Sequence, residues 1–400
     1  MSLEIDPRTE ARFEKMRPLS QGLGVRITGG QVPPGPRSPG LLQSIALMRF
    51  RHQWIPRLQR RYGDVFSIKI LPEGRWLVFF HRPEHVREIF AGDPEVFHAG
   101  KGNAILGPVM GEHSLLLVDS SQHKRARKLL MPAFNGHALR GYEAMVEGLA
   151  KTEVGSWPEG RAFRSLDRMN ALTLEVILQV VFGVTDERRL AELRPLVNRT
   201  VNVSPVVFLG WGFPRLQRLG PWRRAFENQA ALDRVIYAEI AERREATDLA
   251  TRTDVLSQLL LVRDEDAAHA GGTGDTGLTD EELRDQLVTL LLAGHETTAT
   301  ALAWTLHELG KDPVAERKAR EAAVRGDDDH LEAVLKESMR LHPVIPMVVR
   351  HLMEPATIGG VDLPAGANVA ASIILAHSSE ASHPDHAAFR PERFLEGEVT

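Results

Sequence analysis

None of the 400 residues is cysteine. That absence removes every chemistry needing a thiolate: a Cys nucleophile, a zinc knuckle, an iron–sulfur cluster or a thiolate-ligated haem. Disulfides are excluded too, and a chain this long buries enough surface to do without them. An excess of charge of one sign is also missing. Lys and Arg number 49 against 53 Asp and Glu, a net −4, which argues against a protein built to coat nucleic acid. The N-terminal MSLEIDPRTEARFEKMRPLS has no apolar core and is not a signal peptide. The one long apolar run, Gln286 to Leu306, carries His295 and Glu296 at its centre. An acid there costs about 2.5–3.5 kcal/mol on insertion scales, so the run reads as a buried helix of a soluble protein. No membrane anchor is expected, and the location is cytoplasmic by default. What remains, 43% hydrophobic and 26% charged, is an ordinary globular composition.

Residues 1–40 end in QVPPGPRSPG and read as an extended, poorly ordered lead-in. A helix is predicted from about Leu42 to Tyr62. Val65–Ile70 and Arg75–Phe80 alternate and are joined by LPEG, which predicts a β-hairpin. Residues 93–118 are Gly-rich and loop-like, and helical periodicity then dominates to Leu341. Beyond Pro343 the segments MVVRHL, ATIGGVDLPAG and ANVAASII bring strands back. The expected fold class is mainly α with small β-sheets (α+β), with residues 41–400 forming one large domain.

Three motifs look like sites and are not. GTGDTG (Gly272–Gly277) has dinucleotide-loop spacing, but DEDAAHAG precedes it rather than a buried strand. HETTA (His295–Ala299) begins like a zinc helix and lacks the second histidine. His377, His383 and His386 lie near Pro384 without carboxylate or thiolate partners at helical spacing, and read as surface histidines.

The chemistry concentrates in a helix from about Thr279 to Gly310. Thr279 and Glu282 form a capping box at its start. Apolar residues fall on all its sides, so it should be buried nearly all round. Within it sits AGHETT, Ala293–Thr298. Gly294 in a buried helix costs about 1 kcal/mol against Ala and needs a packing reason, such as room for something flat beside the backbone. The Thr297 hydroxyl can reach the Ala293 carbonyl and bend the helix. The outcome is either a polar notch, with Glu296 and Thr297 able to move a proton, or a tolerated polar patch.

LEAVLKESMRLHP predicts a second helix, on which a wheel places Arg340 opposite the apolar face, in an exposed pair with Glu337. His123 and Arg127 lie one turn apart in HKRARKLLMPAF, beside Lys124, Arg125 and Lys128. That cluster suggests an anion nearby, or a solvated basic helix.

Each signal is weak alone, but their order resembles a cytochrome P-450: AGHETT, then ESMR before LHP, then FRPERF, with an upstream H-x-x-x-R helix. The likeness spans nearly the whole chain and is closest to soluble bacterial, actinobacterial-type members. It implies a haem b cofactor and a long helix crossing the distal haem face. Thr297 would help protonate bound dioxygen, with Glu296 as its acidic neighbour. Ala293 and Gly294 would line the haem. Glu337, Arg340 and Arg393 would form a buried brace on the proximal side, replacing the exposed pair read from the wheel. His123, Arg127 and Arg350 would pair with the haem propionates. The activity implied is insertion of one oxygen atom of dioxygen into a small apolar substrate. Electrons would come from NAD(P)H through separate proteins, a ferredoxin and its reductase. Phe97, Leu106, Met110, Val206, Phe208, Trp211 and Phe213 lie in loops expected over the pocket and suggest an apolar guest.

One departure stands out. The family's iron-ligating Cys follows the PERF segment, and this sequence reaches Thr400 without one. The expectation is a P-450 fold incomplete at its C-terminus, inactive as it stands. The alternative is a non-catalytic relative that binds a hydrophobic ligand or partner.

Overall fold

The computed structural model describes Arg8, residues 32–71, 75–134, 136–184, 186–202, Val207, residues 219–264, 276–395 and Gly397. Two compact units interleave along the chain. The first contains His98–Trp157 and Leu172–His295; the second contains the described residues from Val32 to Phe97, Pro158–Ala171 and those from Glu296 on.

The first unit is helical. Leu174, Leu178 and Phe182 of the helix Ser165–Phe182 share a core with Leu193 and Val197 of Glu187–Val201. Leu232, Ile236 and Ile240 of Gly220–Glu245 and Leu256 and Leu259 of Val255–Leu261 complete it, each set spaced three or four residues apart. The start of Val255–Leu261 is fixed by Asp254, whose carboxylate accepts from Ser257 N at 3.0 Å.

The second unit carries the sheets. Strands β1 (Phe66–Ile70), β2 (Arg75–Phe80), β3 (Phe97–His98), β4 (Met347–Leu352) and β7 (Asn368–Ser372) form one sheet in the order β1-β2-β7-β4-β3. β1 and β2 are the expected hairpin, Phe66 opposite Phe79; residues 72–74 of its turn lie outside the described residues. β2 runs parallel to β7, Val78 opposite Val369. β5 (Ala356–Ile358) and β6 (Val361–Leu363) pair separately. The sheet is buried on both faces: Phe66, Ile68, Leu77 and Phe79 pack in one cluster, Val78, Phe80, Val369 and Ala371 in another.

Three readings need correction. The stretch 93–118 is not merely loop: besides β3 it holds short helices at Ala99–Gly102 and Gly107–Met110 and a 3-10 turn at Ala104–Leu106. ANVAASII is not all strand, because the Ser372 hydroxyl accepts from Leu375 N and starts the helix Ile373–His377. The end of the lead-in is docked: Pro34 O accepts from Ser67 N at 3.0 Å and Pro33 O from Ser67 Oγ at 2.6 Å. Gly35 lies so close that a Cβ would meet Ser67 O at 1.9 Å.

Candidate active site

The long helix runs Asp280–Lys311, 32 residues. Its capping box is formed: Thr279 N donates to Glu282 Oε2 at 2.9 Å and Glu282 N to Thr279 Oγ1 at 3.1 Å. The helix is not buried all round. Leu283–Val288 are buried without a break, whereas Ala293, Glu296, Trp304 and His307 are exposed and Thr300 half-exposed, a stripe at three- and four-residue spacing. That stripe mixes Ala, Glu, Thr, Trp and His where the first half has Leu and Val.

Gly294 has its packing reason. A Cβ there would stand 2.7 Å from Ile177 Cδ1, so the space is taken by a neighbouring side chain. His295 is buried, with Nδ1 2.9 Å from Thr173 Oγ1. Burial lowers its pKa, which keeps the imidazole neutral. Glu296 is open to water at its edge, yet desolvation by neighbouring atoms raises its carboxyl above the ordinary value. Thr297 is half-buried one residue on. The helix bends threonine hydroxyls back onto its own carbonyls: Thr289 Oγ1 donates to Asp285 O at 2.6 Å and Thr305 Oγ1 to Ala301 O at 2.8 Å.

Glu337, Arg340 and Arg393 come together. Arg340 Nε and Nη2 donate to the two Glu337 oxygens at 2.7 and 3.0 Å, and Arg393 Nε donates to Glu337 Oε1 at 3.0 Å. Arg390 N adds a fourth bond at 2.8 Å. All three side chains are buried. The exposed reading of Arg340 fails because the turn Pro391–Phe394 covers the polar side of the helix Asp328–Leu341. The remaining guanidinium N–H groups reach carbonyls, Arg340 those of His377 and Ala388, and Arg393 those of Pro384 and Asp385.

His377 and His383 are not surface histidines. Their rings meet edge to face at 5.7 Å, and burial pushes His377 down to about 4. His386 remains accessible and pairs with Glu380 at 2.6 Å. Among the described residues no group of three or more His, Cys, Asp or Glu is arranged to hold a metal ion.

His123 and Arg127 sit one turn apart on the helix Ser120–Leu130 of the first unit, half-buried and exposed respectively. Neither side chain has a partner among the described residues, whereas Arg125 between them is committed to Asp264 at 3.0 Å and Glu282 at 2.6 Å. Arg350 belongs to the second unit, on β4. It donates to Val349 O at 3.0 Å and lies over the Phe90 ring, 5.2 Å from its centroid. Of the expected pocket lining, Met110 is buried, Phe97 lies in β3 and Leu106 in a 3-10 turn. Val206, Phe208, Trp211 and Phe213 lie outside the described residues, as does most of GTGDTG.

Sequence reasoning also missed the buried ion cluster around Arg284. Arg284, fully buried, donates to Asp233 Oδ1 at 2.8 Å, Asp285 Oδ1 at 2.8 Å, Met110 O at 2.9 Å and Val109 O at 3.0 Å. Desolvation pulls the guanidinium down, and the two carboxylates more than offset it, leaving its pKa raised. Asp285 Oδ2 accepts from His113 N at 3.0 Å and faces His113 Nδ1 at 3.0 Å. Gly111, at φ +96°, leaves room for that carboxylate; a Cβ there would stand 1.9 Å from it. The signal was legible: Arg284 and Asp285 interrupt Leu283, Leu287 and Val288 on a helix otherwise apolar there.

The helix with its AGHETT segment, the buried Glu–Arg–Arg cluster and the five-stranded sheet define a haem-monooxygenase fold. The cytochrome P450 family profile matches residues 33–400, and the chain belongs to that family. It is 52% identical over 368 residues to cytochrome P450 135A1 of Mycobacterium tuberculosis, covering 92% of this chain and 80% of that protein. It is 40% identical over 370 residues to cytochrome P450 135B1 of Mycobacterium bovis, covering 91% and 76%. Among solved structures it matches retinoic acid-bound cyanobacterial CYP120A1 with TM-score 0.79, at 22% identity, covering 92% of this chain and 82% of that one.

A haem offers two handles, its carboxylates and its iron. The unpartnered His123 and Arg127 suit the carboxylates. For the iron the donor set is incomplete, because these 400 residues contain no cysteine thiolate. The fit is therefore partial, and no step through iron follows from the residues present.

Proposed function

We propose that this chain is the greater part of a single monooxygenase domain that places one oxygen atom of dioxygen into a small apolar substrate. Electrons from NAD(P)H arrive through separate proteins, a ferredoxin and its reductase. The family's haem, haem b, supplies oxygen activation when bound. This chain's own residues do the rest. Glu296, its carboxyl raised by desolvation, and the Thr297 hydroxyl hold a proton at the open stripe of the long helix. His123, Arg127 and Arg350 would hold the cofactor's carboxylates, and Ala293 and Gly294 would present the helix backbone beside it. The Glu337–Arg340–Arg393 cluster would brace the fold around the site. On this reading the 400-residue polypeptide alone is inactive, since it offers no thiolate.

The observation carrying the proposal is the pairing of family membership over residues 33–400 with a desolvated acid next to a hydroxyl on one helix. Two experiments test it. The 400-residue polypeptide should give no thiolate-type carbon monoxide difference spectrum, and a version extended with a family Cys loop should give one. In that extended protein Thr297→Val should keep substrate binding while product per NAD(P)H falls and hydrogen peroxide rises. Positioned proton transfer is worth about 10²–10⁴-fold, so an unchanged ratio would leave Thr297 a shaping residue only.

A further inference from the structure

The first turns of the helix Gly40–Tyr62 are built inside out. Gln43 and Ser44 are buried, Gln43 at 1% exposure. Gln43 Oε1 accepts from Lys69 N at 2.8 Å, its Nε2 donates to Pro36 O at 3.1 Å and Ser38 O at 2.6 Å, and Ser44 Oγ accepts from Leu71 N at 2.9 Å. These bonds fix the rotation of the helix against β1. They leave Leu41, Leu42 and Ile45 facing water, Leu42 at 57% exposure. Phe50, where the backbone leaves helical geometry at φ −128°, is 55% exposed. An amphipathic helix normally arranges itself the other way. Single exposed apolar residues mean little, but four within ten positions of one helix form a patch with a use.

The charge around the patch says what that use is. Residues 33–63 contain six arginines (37, 49, 51, 57, 60 and 61) and no acid, in a chain whose net charge is −4. Arg37, Arg49, Arg57 and Arg60 are exposed and have no ion-pair partner among the described residues. At 100° per residue Arg49 falls between Ile45 and Leu42, so cation and apolar groups share one face.

We propose that this helix lies on an anionic lipid bilayer, with Leu41, Leu42, Ile45 and Phe50 in the headgroup boundary and the arginines at the phosphates. An acidic protein surface would satisfy the arginines and leave the leucines in water. A neutral apolar partner would cover the leucines and strand the charge. Among the described residues no single helix is long and apolar enough to cross a membrane, and the proposed contact is with its surface.

Vesicle flotation of the 400-residue chain tests this. The chain should float with phosphatidylcholine vesicles containing phosphatidylglycerol and not with phosphatidylcholine alone. Salt that shortens the Debye length to about 3 Å should release it. The triple change Leu41→Ser, Leu42→Ser, Ile45→Ser should lower partition at least about tenfold while circular dichroism stays that of the wild type, because all three side chains already face water. Changing Arg37, Arg49, Arg57 and Arg60 together to Gln should remove the preference for anionic vesicles. Val324→Ser, at an 85% exposed apolar site on another helix, should change nothing. The proposal is overturned if neutral and anionic vesicles bind alike, or if the serine triple floats as well as the wild type. It is equally overturned if polyglutamate is retained and vesicles are not. Binding that emerges only after removal of residues 1–31 would assign the face to the chain's own N-terminal segment instead.

Discussion

The buried ion clusters around Arg284 in the first unit and around Glu337 in the second are built with opposite signs. Around Arg284 one guanidinium is shared by the carboxylates of Asp233 and Asp285; around Glu337 one carboxylate is shared by the guanidiniums of Arg340 and Arg393. Burying such groups costs several kcal/mol per ion unless every surplus lone pair or N–H is met. The solutions differ. Surplus N–H groups around Glu337 are absorbed by four backbone carbonyls, which never titrate. Surplus carboxylate around Arg284 is met partly by His113, which does. The cluster around Arg284 thus becomes sensitive to pH through His113 where the one around Glu337 does not.

The largest expected effect comes from removing either hub. Arg284→Ala leaves two buried carboxylates and Glu337→Ala two buried guanidiniums, and each should cost about 3–5 kcal/mol or prevent folding. Arg340→Ala should cost less than Glu337→Ala, because the pairing of Glu337 to Arg393 survives. Denaturant midpoints read the order, and a spoke variant as damaging as its hub would end the shared-ion description. Next comes Gly111→Ala, which forces a left-handed φ and a Cβ onto the Asp285 carboxylate; about 1–3 kcal/mol is expected by the same measurement.

The smallest effect is the most diagnostic. The hydrogen bond to Asp285 raises the His113 pKa above 6.5. The stability it contributes is therefore fully present below about pH 6.5 and is lost as pH rises through the folded value. The stability gap between wild type and His113→Gln should shrink across that range, while the gap for Arg393→Met stays flat. His377, beside the second cluster, is already pushed down to about 4 and does not titrate there. A flat His113 gap would mean that the carboxylate surplus is met by other donors.

What could be read in advance was what is local. The capping box at Thr279 and Glu282, the β1–β2 alternation and the length of the long helix all rest on neighbours a few residues apart. The wheel that exposed Arg340 failed for the complementary reason. It sees one helix, and the turn covering that face comes some fifty residues later in the chain. Gly294 was noticed as needing a reason, but only the structure supplies Ile177 as that reason. Arg284 escaped because a charge in an apolar run carries no mark of its partner, and Asp233 lies 51 positions away.

The parallel pairing of β2 with β7 has a consequence in time rather than in space. Val78 and Val369 are partners across about 290 residues. At the usual synthesis rate of about 5–20 residues per second, the β1–β2 hairpin waits about 15–60 s with one edge unpaired. Its Trp76–Phe80 run is the kind of apolar strand that recruits other chains while it waits. Closing a loop of that length also makes this pairing slow after dilution from denaturant. Refolding yield should consequently fall with protein concentration well before any helix in the first unit is at risk.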